Sequence, residues 1–415
     1  MSNTLKFTDM VAREALAVAH EKLSFIGTID RQYDESFGKT GAKIGSSLRV
    51  RNPNKYTRRT GSRVMDVQDQ NESVQTVTVA TQDGVDMRFN SAELTTDTDS
   101  PSDVAAFSKR YIVPAVSVLV SGIESDFLAS ATKATYNVAG AAGTGITTLV
   151  APGAARAALN RGLAPKGDRS IQIDSGTMGG LVNGVAAYFN PSNAISEQYR
   201  EGMVARTAMA DFYENERLWT LTNSDDVTGA VNAASGVTDG SPLIKIYTDI
   251  AIAKQSVGQV FTVAGVYACH PETKASYGRL QQFTITVVEP GTTGTTVSPT
   301  IYLSGANKNV CTSTGANATA ATFDAATLTF VGSASASYMQ GLMYHKDAFQ
   351  FITADLPIMD DAAKCVRRVQ DGLSIRVWMA SDIRNDELLM RLDILYGMAA
   401  LRPEWACRLI GSASA

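Results

Sequence analysis

The sequence predicts an α+β protein of 415 residues in which one charged host domain is interrupted by a β-rich insert. Three observations carry this reading. Apolar residues recur at helical spacing in two stretches of the first third, valines alternate with polar residues over 74–89, and charge density falls sharply between residues 223 and 345. Those 123 residues hold 12 charged side chains while the other 292 hold 66, with Thr, Ser, Ala, Gly and Asn filling the difference. A step of that size marks a separate piece of chain, and the length allows two or three domains with full cores.

The first helix follows Thr8 and Asp9, either of which can cap it, and its apolar stripe is Val11, Ala15, Val18 and Leu23. Gly27, Gly38, Gly41 and Gly45 then punctuate a loose segment. It leads into residues 48–63, LRVRNPNKYTRRTGSR, where Arg49, Arg51, Lys55, Arg58, Arg59 and Arg63 meet no acidic residue. Pro53, Gly61 and the absence of apolar periodicity make this an extended loop. The charge then reverses: the forty residues 64–103 contain nine acids, among them Asp66, Asp69 and Glu72, against the single base Arg88.

Within the acidic part, VQTVTVATQDGVDMRF (74–89) reads as a β-hairpin with Asp83-Gly84 at its turn. Ser100-Pro101-Ser102-Asp103 offers a cap and a first-turn proline for the longest helix, continued by Val104, Phe107, Tyr111, Ala115, Val118, Ile123 and Phe127. Pro114 falls in its middle, where it removes a hydrogen bond; it is a kink and a hinge candidate. In the insert, FTVAGVYACH, FTITVV, TIYLSG and ATLTFVG read as short strands of a small sandwich or barrel. Beyond it, DAFQFITADLPI, GLSIRVWMA and LLMRLDILYG read as strands. The last has Arg391 and Asp393 on a polar face and Leu392 and Ile394 on a buried one.

Several function classes find no support. A net charge of -4 and a pI near 5.6 argue against a surface built throughout to hold phosphate. The N-terminus lacks a signal-peptide core, and the longest largely apolar run, 115–123, is too short to span a bilayer, so a cytoplasmic chain without membrane contact is expected. Cys269, Cys311, Cys365 and Cys407 lie 42, 54 and 42 residues apart, unlike metal or disulfide spacing, and read as buried or inert thiols. Of three histidines, His270 sits in Cys269-His270-Pro271-Glu272, read as a turn. GAAGTGIT (140–147) has the glycines of a phosphate loop but Ile146 where lysine must stand, so a surface loop is expected. The pairs Asp225-Asp226 and Asp360-Asp361 read as caps or solvated acids. Trp219, Trp378 and Trp405 read as core or subunit-contact anchors, since two of the three lack interleaved basic residues. No catalytic residue, metal or cofactor is expected, and the chain is not read as an enzyme. For the basic loop, docking on an acidic surface of another copy is favoured over a solvated loop or a nucleic-acid contact, because the acidic segment follows it directly.

The C-terminal run Tyr396-Gly397-Met398-Ala399-Ala400-Leu401-Arg402-Pro403-Glu404 resembles the YGxxAxRPE ending of the major coat protein of Salmonella-type short-tailed phages. Gly372-Leu373, Tyr188-Phe189-Asn190-Pro191, Arg200-Glu201-Gly202 and MRFNSAEL (87–94) match that family in order and spacing. The resemblance implies the tailed-phage capsid fold with an inserted β-barrel. On that mapping residues 1–47 form an N-terminal arm, 48–72 an extended loop, and 73–135 a peripheral domain with long strands and spine helix. Residues 136–222 and 346–415 form an axial domain around the insert at 223–345. It further implies a major capsid subunit that assembles as hexamers and pentamers into the icosahedral shell of a tailed double-stranded DNA phage, in the host cytoplasm. The implied partners are other copies, a scaffolding protein, a portal protein and packaged DNA. The rival reading is a β-rich binding or adhesion protein.

Overall fold

The computed structural model describes residues 7–34, 47–59, 61, 65, 67–68, 74–90, 108–186, 210–224, 228–230, 237–245, 255–288, 294–358, 364–370 and 372–413. The chain forms two compact units of mixed helix and sheet. The first holds Met1–Val50, Val74–Phe127 and Phe349–Ala399; the second holds Arg51–Ser73, Leu128–Ala348 and Ala400–Ala415.

In the first unit, helix Phe7–Lys22 buries Val11, Ala12, Ala15, Leu16, Val18 and Ala19, so the expected stripe is core. Leu23 is buried just past its end. The one-turn helix Phe25–Thr28 follows, and its orphan amides are met from 100 residues away. Ser24 N, Ser24 Oγ and Phe25 N donate to the Glu124 carboxylate at 3.3, 2.7 and 2.7 Å. Six strands form the sheet, in the order Asp30–Asp34, Phe349–Ala354, Glu387–Ala400, Leu373–Asp382, Lys364–Gln370, with Thr81–Asn90 also on Glu387–Ala400. Against it packs a chain of rings: Phe25 on Phe127 at 5.2 Å, Phe127 on Phe351 at 5.9 Å, Phe351 on Tyr396 at 5.6 Å. All four are buried to within 1% of complete.

Here the structure corrects the expected hairpin. Strand Val74–Thr78 ends before Gln82, and Gln82-Asp83-Gly84 lies inside strand Thr81–Asn90, which pairs antiparallel with Glu387–Ala400 from Tyr396↔Thr81 to Glu387↔Asn90. The reason is non-local: ten residue pairs with a fourteen-residue strand outweigh a local turn preference. Gly84 is needed for space, since a Cβ there would stand 2.6 Å from Asp393 Oδ1. The polar face of Glu387–Ala400 is covered at Asp393, while Arg391 stays exposed. Asp393 is fully buried, accepting from Arg376 Nη2 at 2.6 Å and Arg391 Nε at 2.7 Å.

The long helix differs in detail. A π-helical turn, Ser108–Ile112, precedes α-helix Val113–Ala134, so Pro114 stands at the second α-helical position instead of mid-rod. Proline has no N–H to give the preceding turn, and the wider π turn absorbs that loss. Residues 101–107 lie outside the described residues. The helical stretch Arg110–Ala134, whose most apolar 18-residue window has mean hydropathy 1.6, passes for a membrane span by length and composition alone, as the core helix of a soluble protein also can. Its buried Glu124, Phe127 and Leu128 mark it as a helix packed in protein.

In the second unit, a six-stranded sheet runs Val138–Ala139, Ala406–Ala413, Ser337–His345, Arg169–Ile173, Asp211–Glu214, with Thr220–Thr222 on Ser337–His345. Helices Val150–Arg161 and Ser175–Ala186 cover it, burying Ala155, Leu159, Met178 and Leu181 with Ile171, Met343 and Leu409. The insert is a seven-stranded antiparallel sheet, Ser241–Lys245, Gly294–Ile301, Ser276–Val288, Val260–Cys269, Thr327–Phe330, Thr228–Ala230, with Val310–Cys311 on Val260–Cys269. Its core, built on Phe261, Phe283, Phe323, Ile285 and Val297, comes wholly from residues 237–330, while Ser337–His345 belongs to the other sheet. Among the described residues these pairings form an open path, without the pairing of its two end strands that would close a barrel.

Candidate subunit interface

The basic loop leaves strand Ser47–Arg51 and runs without regular structure. One side chain gives it shape: Thr57 N donates to Gln68 Oε1 at 2.8 Å and Gln68 Nε2 donates to Thr57 O at 2.7 Å. This imitates a two-bond strand pair and ties the two limbs of the loop together. Arg51, at the end of strand Ser47–Arg51, and Lys55, Arg58 and Arg59, in the loop, are all exposed. Arg49 belongs to the preceding strand. Arg63, Asp66, Asp69 and Glu72 lie outside the described residues.

Sequence reasoning missed the apolar half of this surface. Tyr56 is 54% exposed, Met65 80% and Val67 79%. Large apolar side chains held in water beside cations are a feature of protein contact surfaces, where an apolar centre is ringed by charge. The signal was present as the alternation of Met65 and Val67 in an otherwise polar segment.

Lys55 also acts within its own chain. Burial pushes the Glu404 carboxyl above the usual carboxylate range, and Lys55 and Arg402 pull it partly back. Lys55 in turn adds to the burial that lowers the Lys274 ammonium. In the Arg402-Pro403-Glu404 motif, Arg402 caps the 3-10 turn Pro403–Trp405 and Glu404 lies within it. Arg402 lies over the Trp405 ring at 4.1 Å, and Trp405 Nε1 donates to Gly162 O at 2.9 Å. Cations stand over all three tryptophans, with Lys133 at 5.2 Å from Trp219 and Arg376 at 5.8 Å from Trp378. Spacing along the chain could not reveal Lys133, which comes from a helix 86 residues away, whereas Arg376 and Arg402 stand two and three residues from their rings.

The remaining sites resolve simply. His270 Nδ1 accepts from Glu272 N and Thr273 N at 3.1 and 3.2 Å, closing the expected turn. The four cysteines are free; Cys269, Cys311 and Cys407 are buried, and burial pushes Cys269 and Cys407 up to about 12. Among the described residues no three His, Cys, Asp or Glu side chains gather as a metal site. Residues 140–147 form a loop whose Ile146 is buried, and with Asp174, Thr177 and Gly341 it lines a cavity of about 340 Å³. Asp174 Oδ2 already accepts from Thr177 N at 2.9 Å, so the helix start there carries its own acid cap. The pairs Asp225-Asp226 and Asp360-Asp361 and the motifs at 188–191 and 200–202 lie outside the described residues, as do residues 91–94.

The physical role of the C-terminal motif is visible in Gly397. A Cβ there would stand 2.3 Å from Thr78 O, so only glycine lets the two backbones meet. The family model described as "P22 coat protein - gene protein 5" matches residues 192–411, more than half of the chain. The chain belongs to the P22 coat protein family. It is therefore a major capsid subunit, a component of the shell of a tailed phage, and the rival reading of a β-rich adhesion protein falls. Shell subunits associate with their own copies and reside in the virion capsid; a structural role goes with that assignment. No curated protein matches the sequence. Solved structures similar to the chain include the capsid of Ralstonia phage GP4, at 7% identity and TM-score 0.47, covering 94% of this chain and 88% of that one. Mycobacterium phage Che8 gives 8% identity, TM-score 0.45 and coverages of 93% and 90%. The capsid of cyanophage P-SCSP1u gives 11% identity, TM-score 0.45 and coverages of 94% and 89%.

Proposed function

We propose that the subunit assembles as hexamers and pentamers in the host cytoplasm, with a scaffolding protein and a portal protein as partners and packaged double-stranded DNA in non-specific contact. In this reading residues 1–47 are the arm, 48–72 the extended loop, 73–135 the peripheral domain, 136–222 and 346–415 the axial domain, and 223–345 the inserted β-rich domain. Pro114, at the junction of π and α turns, is the hinge of the spine helix. The mildly acidic balance suits a shell that does not grip its DNA tightly.

The observation that carries the interface is the loop pinned by Gln68, with Lys55, Arg58 and Arg59 beside Tyr56, Met65 and Val67, all exposed. It docks on the acidic stretch of a neighbour, with Asp66, Asp69 and Glu72 as acceptors. A contact between two different patches is heterologous and closes identical subunits into rings. Exposed ion pairs contribute about 0–1 kcal/mol each, so they set association rate and salt response more than final stability. The test replaces Arg58, Arg59 and Arg63 together by Ala and follows shell assembly by light scattering from low to high salt. Assembly should slow several-fold at low salt and lose most of its salt dependence. Kinetics equal to the parent at every salt concentration would remove the loop from the interface.

A further inference from the structure

The C-terminal end of helix Val113–Ala134 meets an unusual partner. Arg408, in strand Ala406–Ala413, is fully buried, yet its side chain donates to neutral oxygens. Nε donates to Thr135 O at 2.7 Å and Nη2 to Lys133 O at 3.2 Å, which are carbonyls at the end of the helix. Nη1 donates to Gly258 O at 2.6 Å, and Nη2 also donates to Thr284 Oγ1 at 2.8 Å; both acceptors belong to the insert. Thr284 Oγ1 closes the ring by donating to Lys133 O at 3.1 Å.

A guanidinium suits this position for two reasons. Its positive charge lies against the negative end of the helix dipole, where a cation is favoured. Its planar fork reaches acceptors from three directions at fixed angles, which a lysine ammonium cannot do. Burial lowers Arg408 to about 9, which still leaves it cationic at neutral pH. Further hydrogen bonds of the insert here join neutral groups. Gln282 exchanges bonds with Val138 N and O at 2.9 and 3.3 Å, and Tyr277 Oη donates to Arg161 O at 3.0 Å. The insert's own core, residues 237–330, does not include Arg408.

We propose that Arg408 is the positioning residue that seats the insert on its host, locking strand Ser276–Val288 and Gly258 to the end of helix Val113–Ala134 in one orientation. The insert then folds on its own core but takes its direction from this one side chain. In a shell subunit, that direction decides which neighbouring copy the insert can reach.

Hydrogen exchange by mass spectrometry on the full chain tests this with Arg408→Leu, Arg408→Lys and Thr284→Val. Loss of charge-assisted bonds should raise exchange at the seat, in peptides covering 133–139, 255–260 and 280–285, by on the order of a hundredfold in Arg408→Leu. Peptides from the insert interior, 294–301 and 326–331, should keep parental protection. Arg408→Lys should fall between parent and Leu, since its charge is kept and its fork is lost. In electron micrographs of assembled shells, the insert of Arg408→Leu should be smeared while its host stays sharp. Parental exchange at the seat would overturn the proposal, as would equal loss of protection through the insert interior, which would make Arg408 a requirement for folding. Should Arg408→Leu not fold, Thr284→Val decides: faster exchange confined to the seat supports the proposal, and none refutes it.

Discussion

Removing the Asp393 carboxylate is the sharpest test of how the first unit is held together. Asp393 is fully buried and bonds Arg376 Nη2 at 2.6 Å; the Arg376 side chain is itself only 6% exposed. Arg391 reaches the other oxygen at 2.7 Å but is 48% exposed, so solvent screens most of that second contact. Asp393→Ala leaves Arg376 buried with a bond to Pro357 O at 3.0 Å and no carboxylate. Stranding a buried cation in this way costs about 3–5 kcal/mol, while the Arg391 arm adds about 0–1 kcal/mol. A loss of that size is a large part of the roughly 5–15 kcal/mol that holds a typical domain. Replacing both partners by apolar residues, Asp393→Leu with Arg376→Met, should cost much less than the sum of the single changes, because neither charge is stranded. Urea unfolding followed by tryptophan fluorescence measures this directly, since Trp378 lies beside Arg376 and opposite Arg391 on the neighbouring strand. Single variants within about 1 kcal/mol of the parent, or a double variant equal to the sum, would refute the reasoning.

Two further changes probe the C-terminal motif. Gly397→Ala must push apart backbones that a Cβ would bring to 2.3 Å, and should destabilise by about 1–3 kcal/mol on urea unfolding or leave the protein insoluble; an unchanged midpoint would contradict the close approach. Glu404→Gln should change the pH dependence of stability. Burial raises the folded-state carboxyl above its unfolded value near 4.5, so the folded state binds the proton more tightly and its stabilising share is lost as pH rises through the raised value. The glutamine variant should therefore be more stable than the parent at pH 7 and equal to it below pH 4.5 in thermal melts; a parent that gains stability between those limits relative to the variant would reverse the sign.

How much of this was legible in the sequence follows from the range of the forces involved. Helix Phe7–Lys22 and strands Val260–Cys269, Leu373–Asp382 and Glu387–Ala400 were readable because a periodic apolar face is a local property. Strand Ala406–Ala413 was not, because it is covered on both faces and carries Arg408 inward, leaving no alternation to detect. Asp83-Gly84 misled for the opposite reason: it has turn chemistry, but Gly84 is there to clear Asp393 on a strand 309 residues later. At the interface the charges were visible and the exposed Met65 and Val67 were not, since an apolar residue is assigned to the interior unless the fold says otherwise.

Two of the buried charged groups, Glu124 and Arg408, join segments far apart in the chain. Glu124 meets Ser24 and Phe25 across about a hundred residues, and Arg408 meets Lys133 across 275. Apolar packing is tolerant of small slips, because any neighbouring methyl group serves nearly as well as another. A buried carboxylate or guanidinium is not, since each displaced donor leaves a group unpaired at about 1–3 kcal/mol. Placing such groups where distant segments join makes misalignment costly at those joints and leaves the apolar interior to supply bulk stability. For a subunit whose shape is copied through a shell, an angular error at one joint recurs in every copy. On this argument the conservative variant Arg408→Lys should disturb shell geometry more than subunit stability, whereas Phe261→Ala in the insert core should do the reverse.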